Sequence, residues 1–430
     1  MKFFKKVSPG RIIVLGFFSV IIIGTILLKL PISIRDGVVV SWVDALFTST
    51  SAVCVTGLIA IDTADTFTVF GRAVVALLIQ IGGLGVTSIG VGFILLMRKK
   101  IGIKERVLIK ESMNLDSMKG LVKLVKSVLF LTLSFEVVGA ILSYLVFSKD
   151  YTPIDALGIS IFHSIAAFNN SGFDILGGLQ NLIPYQNNVL LNLTTSGLII
   201  FGGLGFLVIK EIIRVKKFKK FSLHTKVVIT VTVVLLLVGT VLLKATEDIS
   251  WLGAFFFSTS ARTAGFSTYP LGDFTNAGLF ILTILMFIGA SPGSTGGGIK
   301  TTTIFTLFRS IYSTSTNKNC TVFKRKIPTS VVFKAFNIFV LAIAVVCTGT
   351  LVVSIIEPNL SFIQILFEVT SAFGTVGLST GITPDLKDLS KIIISLIMFI
   401  GRLGPMTIAT IWSFKEAPNA CYSEEAVIIG

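Results

Sequence analysis

The sequence predicts an all-α polytopic membrane protein: four M1-P-M2 pore-loop repeats around a central pore, with eight membrane helices and four short pore helices. Three observations predict it. The chain is 53% hydrophobic and only 14% charged, with a mean hydropathy of +0.90, whereas a soluble domain carries about 25% charged residues. Its charges are sorted by loop. Lys and Arg crowd the N-terminus and segments 98–126, 210–226 and 309–334, while the alternate connections are richer in acids. One unit also recurs four times: an apolar helix, a short apolar segment ending in a glycine loop, then a second apolar helix.

The sorted charges explain the net charge of +15 as a topology signal. Basic loops stay on the cytoplasmic side, so both termini are expected there, in a multi-pass protein of the cytoplasmic membrane. The partner of this basic surface is then the lipid bilayer, with no nucleic acid. Cys54, Cys320, Cys347 and Cys421 lie far apart with no CxxC pair, so neither a disulfide framework nor a zinc site is expected. The first apolar run, 12–30, is long for a signal peptide and is read as a membrane helix.

Repeat one covers 1–98. Its first helix ends near Leu30-Pro31. Trp42–Cys54 is too short to cross a ~30 Å hydrocarbon core, which needs about 20 residues. It runs into Val55-Thr56-Gly57, and the return helix, 69–97, contains Ile81-Gly82-Gly83-Leu84-Gly85. Repeat two, 99–214, rises over 121–147. Its short segment, 154–168, leads to Asn170-Ser171-Gly172, and its return helix, 189–213, contains Phe201-Gly202-Gly203-Leu204-Gly205. Repeat three, 215–316, has Trp251–Ser260 before Thr263-Ala264-Gly265, and a return segment that breaks over 289–300. Repeat four, 317–430 with the C-terminal tail, places 362–373 before Thr375-Val376-Gly377. Its return helix, 392–412, contains Ile400-Gly401-Arg402-Leu403-Gly404.

An irregular loop at membrane depth must be buried in protein or line water. Four such loops meeting on one axis stack their carbonyl oxygens into rings able to replace a cation's hydration shell. Glycine fits the tight position because it lacks a Cβ. The expected filter is therefore Val55, Thr56, Gly57, Asn170, Ser171, Gly172, Thr263, Ala264, Gly265, Thr375, Val376 and Gly377. The short helices aim their C-terminal dipole ends at it, favouring cations. Asp62, Asp65, Asp174 and Asp273 are placed at the outer mouth.

The combination of four filter glycines, Ser291-Pro292-Gly293-Ser294-Thr295-Gly296-Gly297-Gly298-Ile299-Lys300 and Arg402 resembles the Trk/Ktr/HKT superfamily of potassium uptake proteins. It is most like the bacterial Ktr-type integral membrane subunit (KtrB). The resemblance spans essentially the whole chain. It implies potassium uptake across the cytoplasmic membrane by an ion-translocating subunit, with Gly57, where sodium-favouring members carry serine, implying potassium selectivity. It also implies sodium stimulation, a homodimer with Ile428-Ile429-Gly430 at its interface, and a ring of cytoplasmic nucleotide-binding regulatory subunits (KtrA-like). No covalently bound cofactor is expected; K+ is the permeant ion and Na+ an activator.

In relatives the broken third M2 acts as a gate. The expected gate residues are Gly289, Ser291, Pro292, Gly293, Gly296, Gly297, Gly298, Lys300 and Arg402, with the arginine holding the loop closed on its backbone. An intramembrane arginine costs about 2.5–3.5 kcal/mol on insertion scales and needs such partners. The stretch 293–301 imitates a phosphate loop, but Ile299 spoils the spacing and no strand precedes it. Arg262 is expected to pair with Glu368. Glu136 is an intramembrane carboxylate of interest, and His163 reads as packed. No Ser-His-Asp set, HExxH or Cys/His cluster supports an enzyme. The alternative is a sodium-coupled secondary cation transporter. Those folds show inverted repeats with two broken helices, against four parallel repeats and one broken M2 here.

Overall fold

The computed structural model describes residues 9–96, 102, 106–108, 110 and 120–410. Four long helices, α1 (Pro9–Lys29), α6 (Leu121–Phe147), α10 (Leu223–Thr246) and α14 (Thr329–Ile356), are long and apolar enough to cross a membrane. Their outward side chains, such as Phe18, Phe130, Leu237 and Leu351, are exposed, as suits a surface facing lipid. The short helices are α2 (Trp42–Cys54), α7 (Pro153–Phe168), α11 (Trp251–Ser260) and α15 (Phe362–Gly374). Each starts at a hydroxyl N-cap (Ser41, Thr152, Ser250 or Ser361) that accepts the amide three residues on, as capping chemistry dictates. Phe47, Phe168, Phe256, Phe257, Phe367 and Phe373 of these helices are completely buried.

The return segments differ from the expectation. Those of repeats one, two and four were read as continuous helices; each is two. Helix α4 (Val69–Leu84) gives way to α5 (Val86–Leu96), α8 (Val189–Leu204) to α9 (Phe206–Val215), and α16 (Asp388–Leu403) to α17 (Pro405–Thr410). The hinge is the last glycine of the G-x-L-G motif in every case. Gly85, Gly205 and Gly404 have φ/ψ of 82/136°, 92/138° and 88/136°, close to backbone geometry open essentially to glycine. In the third repeat α12 (Asn276–Phe287) and α13 (Thr301–Ser315) are separated by the longer loop. A four-residue helix, α3 (Thr63–Thr66), follows the first filter loop, and a small hairpin, β1 (Thr321–Val322) with β2 (Arg325–Lys326), precedes α14.

Packing closes the four units into a ring. Each short helix lies against the return helix of the preceding repeat: α7 on α4, α11 on α8, α15 on α12, and α2 on α16. Within a repeat, the long helix carries a glycine (Gly24, Gly139, Gly239 or Gly349) where the short and return helices press close. Small residues at such crossings allow backbones to approach. Ser49, Ser164 and Ser258 of the short helices use that approach to donate to the carbonyls of Ile21, Glu136 and Leu236 on the long helices.

Candidate ion pathway

Each short helix ends by turning left-handed. Val55, Asn170, Thr263 and Thr375 have φ of 57°, 59°, 73° and 50°, and the glycines two residues later, Gly57, Gly172, Gly265 and Gly377, have φ of 90°, 68°, 78° and 97°. The middle residue has no positive φ in any loop. Alternating hand along a strand turns successive carbonyls to one side. The amides point back: Thr56, Ser171 and Val376 donate to Ser51, Ala166 and Ser371 carbonyls at 2.8, 2.8 and 2.9 Å. Gly57 and Gly377 also donate to the Ser51 and Ser371 hydroxyls at 3.0 Å. The third loop is wound differently, with Ala264 N donating to Ser260 O at 2.9 Å.

The four loops meet. A methyl on Gly57 would run into the Ser171 carbonyl, one on Gly172 into Ala264, one on Gly265 into Val376, and one on Gly377 into Thr56. The order one to two to three to four to one is closed. All twelve expected filter positions are buried or nearly so. Among the described residues, Gly172 alone of these positions has a carbonyl that accepts a hydrogen bond, from Asn181 Nδ2 at 3.0 Å. The others remain available to a ligand that the protein itself does not supply.

The 289–300 loop sits directly beneath this ring. A methyl on Gly296 would overlap the Thr263 side chain, and one on Gly297 that of Thr375, to whose hydroxyl Gly297 N donates at 3.0 Å. Thr295 Oγ1 donates to Phe168 O at 3.2 Å. The break at Gly205 supplies further anchors. Ser291 N and Thr295 N donate to Gly203 O and Gly202 O at 3.0 and 3.2 Å, and Phe206 N to Gly293 O at 3.0 Å. Ile288 and Ile299 form a parallel bridge that closes the loop's neck. Pro292 and Gly298 lie within this buried or half-buried excursion. Lys300 folds its ammonium back onto Gly296 O and Gly297 O at 2.7 and 3.2 Å. Arg402 donates to Thr295 O on the loop, and to Gly82 O and Gly83 O at the end of α4, the last at 3.3 Å.

Other expectations fare less evenly. Arg262 and Glu368 do not pair. The arginine reaches Thr232 Oγ1 at 3.4 Å, and the carboxylate accepts from the Thr383 hydroxyl. Each group takes one hydroxyl in its own surroundings, and among the described residues Arg262 Nε and Glu368 Oε2 have no hydrogen-bond partner. Of the outer acids, Asp273 is exposed, but Asp62 and Asp65 accept amides of Leu179 and Gly178 at 2.7 and 2.9 Å. Asp174 is buried against Asn181 and Leu176. Burial pushes the Asp174 carboxyl up to about 7, with Asp62 and Asp65 adding to the rise and the Leu176 and Asn181 bonds opposing it. Glu136 accepts from Asn169 Nδ2 at 3.1 Å, which also donates to Gln80. His163 Nε2 lies 2.9 Å from Thr195 Oγ1, its ring edge-on to Phe147 and Phe266. Asn169, Asn181 and Thr295 had not been singled out. Each has at least one partner in another repeat (Gln80, Ser267 and Phe168 respectively), which no local pattern marks. The expected interface residues Ile428-Ile429-Gly430 lie outside the described residues.

Comparison with known proteins places these features in a family. A family model described as TrkH, cation transport protein, matches residues 11–250 and 225–423. The chain is 38% identical over 438 residues to the Ktr system potassium uptake protein B of Bacillus subtilis, covering 99% of this chain and 97% of that one. It is equally 38% identical to the potassium/sodium uptake protein NtpJ of Enterococcus hirae, over 99% of this chain and 98% of the relative. The crystal structure of the potassium transporter TrkH from Vibrio parahaemolyticus superposes with a TM-score of 0.75 at 21% identity, covering 95% of this chain and 86% of that chain. This last likeness speaks for the fold.

Proposed function

The chain belongs to the TrkH family of cation transport proteins, and from that premise we propose that it is the ion-translocating subunit of a potassium uptake system of the cell membrane. The observation that carries this reading is the closed ring of glycine loops, each glycine seated on the next repeat's carbonyl. A cation entering from the acidic mouth exchanges its water for these carbonyls, whose own amides are occupied by the short helices. Four helix C-termini add partial negative charge at the same place. The repeats 1–98, 99–214, 215–316 and 317–430 each contribute one loop.

Permeation is then limited by the 289–300 loop. Displacing it means giving up the Gly202 and Gly203 carbonyl contacts, the Thr375 contact and the Arg402 bond to Thr295. The charge-assisted Arg402 bond contributes about 1.5–3 kcal/mol and the neutral bonds about 0.5–1.5 kcal/mol each, enough in sum to keep the closed form dominant. An external bias has to open it. A nucleotide-binding cytoplasmic subunit acting on a homodimer of this chain suits that need; the name "Ktr system" borne by a relative supports a partner component. A link to sodium is supported by the relative named a potassium/sodium uptake protein, and we propose that sodium acts here as an activator. The charge sorting supports a cytoplasmic location for both termini.

Expression in cells lacking potassium uptake tests the reading. Growth at low potassium and uptake favouring K+ over Na+ are expected, with Gly57→Ser shifting the preference toward Na+. Equal uptake of the two ions by the unaltered protein would refute a selective filter.

A further inference from the structure

One filter carbonyl is treated unlike the rest. Gly172 O accepts from Asn181 Nδ2 at 3.0 Å, and the same amide nitrogen donates to Asp174 Oδ2 at 3.0 Å. The other end of the side chain is also engaged: Asn181 Oδ1 accepts from Ser267 N at 3.0 Å, just beyond the third filter loop. Asn181 thus links the second filter strand to the chain just beyond the third. Its backbone is left-handed, φ 51°, a conformation that Asn tolerates better than most residues. The segment carrying it is strapped to repeat one, where Asp65 and Asp62 accept the amides of Gly178 and Leu179. Among the described residues, no other filter position has a carbonyl held by a side chain. The ring is therefore asymmetric at the level of its glycine carbonyls.

Resting on the reading of these loops as a cation filter, we infer that Asn181 is a positioning and selectivity-determining residue, which fixes the Gly172 carbonyl through its donated hydrogen bond. A carbonyl sharing a lone pair with an amide is restrained in direction and weakened as an ion ligand. The ring then holds fewer full-strength dipoles of fixed radius than a symmetric one. Freeing Gly172 O lets it follow an ion of either size, and the preference for the larger ion declines. Asp174 keeps the amide nitrogen turned toward the carbonyl, and Ser267 N holds the opposite oxygen, so the orientation of the Asn181 amide is set from both ends.

The test is the ratio of K+ to Na+ uptake in proteoliposomes, which a merely structural role would leave unmoved even if the yield of protein changed. Asn181→Gly suits the left-handed backbone and deletes the side chain. Asn181→Asp, assayed at alkaline pH, keeps an acceptor for Ser267 N but cannot donate to Gly172 O. Both are expected to lower the ratio about fivefold, the worth of one hydrogen bond of ~1 kcal/mol. If Asn181→Gly cannot be purified, Asn181→Asp alone decides. An unchanged ratio in Asn181→Asp overturns the inference, because the donated bond is then irrelevant. Gly57→Ser is measured alongside. If it lowers the ratio while the Asn181 variants do not, this inference falls and the filter stands. If it too leaves the ratio unchanged, the filter reading falls and takes this inference with it.

Discussion

Arg402 ends among backbone carbonyls of two different elements, Gly82 and Gly83 at the end of α4 and Thr295 on the loop. A planar guanidinium with five donors can serve both at once; an ammonium on a flexible stem serves them poorly. Arg402→Gln and Arg402→Lys are therefore both expected to raise basal rubidium flux in proteoliposomes. An increase of about tenfold corresponds to losing one charge-assisted bond from the closed form. Flux equal to the unaltered protein would deny the arginine its latch role. Glu357 illustrates a different use of charge, at the outer end of α14. Burial pushes its carboxyl up, but the Lys387 amide, the Ser390 hydroxyl and the Lys387 ammonium outweigh burial and hold it below its ordinary 4.5. A depressed carboxyl contributes stability above 4.5 and loses it as pH falls through the folded value. Thermal unfolding in detergent should therefore drop on acidification below that point, and Glu357→Gln should flatten the profile. The arginine's need for carbonyls was legible from sequence, because a buried charge must have partners. Its partner on α4 was not, since nothing local links residues 82 and 402. The failed pairing of Arg262 with Glu368 has the same root: charge alone does not tell which hydroxyls lie nearer.

At the scale of elements, the short helices were readable because 10–16 apolar residues cannot span a bilayer and a glycine loop follows each. The breaks in the return segments were not. A glycine inside an apolar helix costs only about 1 kcal/mol, so composition does not separate a tolerated glycine from a hinge. The recurrence of glycine at the end of each G-x-L-G motif, and Pro405 directly after Gly404, carried the missing signal. The Gly205 break matters most, because it frees Gly202 O, Gly203 O and Phe206 N for the loop. A methyl on Gly205 would press on Pro292 O, at a φ of 92° that resists side chains. Gly205→Ala is expected to cost about 1–3 kcal/mol of backbone strain and to loosen the loop, seen as a lower melting temperature with higher basal flux. Gly197→Ala, in open space on α8, should match or exceed the unaltered protein's stability. Equal behaviour of the two variants would separate the break from the gate.

The whole molecule is a single chain acting as a closed ring, and closure has to be made where repeat four meets repeat one. Lys391 on α16 pairs with Asp44 on α2 at 2.9 Å, with the two side chains 8% and 17% exposed. Removing one partner strands a largely buried charge, at a cost of about 3–5 kcal/mol. Lys391→Met should thus lower the melting temperature in detergent, and Lys391→Met with Asp44→Leu should recover most of the loss; no recovery would show that the pair is not the closing contact. The fourfold order was visible in the repeats, but its closure through Lys391 and Asp44, 347 residues apart, was not. In the proposed function, four glycines form one filter. Potassium and sodium flux in proteoliposomes, measured for Gly57→Ser, Gly172→Ser, Gly265→Ser and Gly377→Ser in turn, addresses it most directly. The unaltered protein is expected to prefer potassium and each single substitution to erode that preference. Retention of full preference by any one variant that still conducts would contradict a ring in which all four take part.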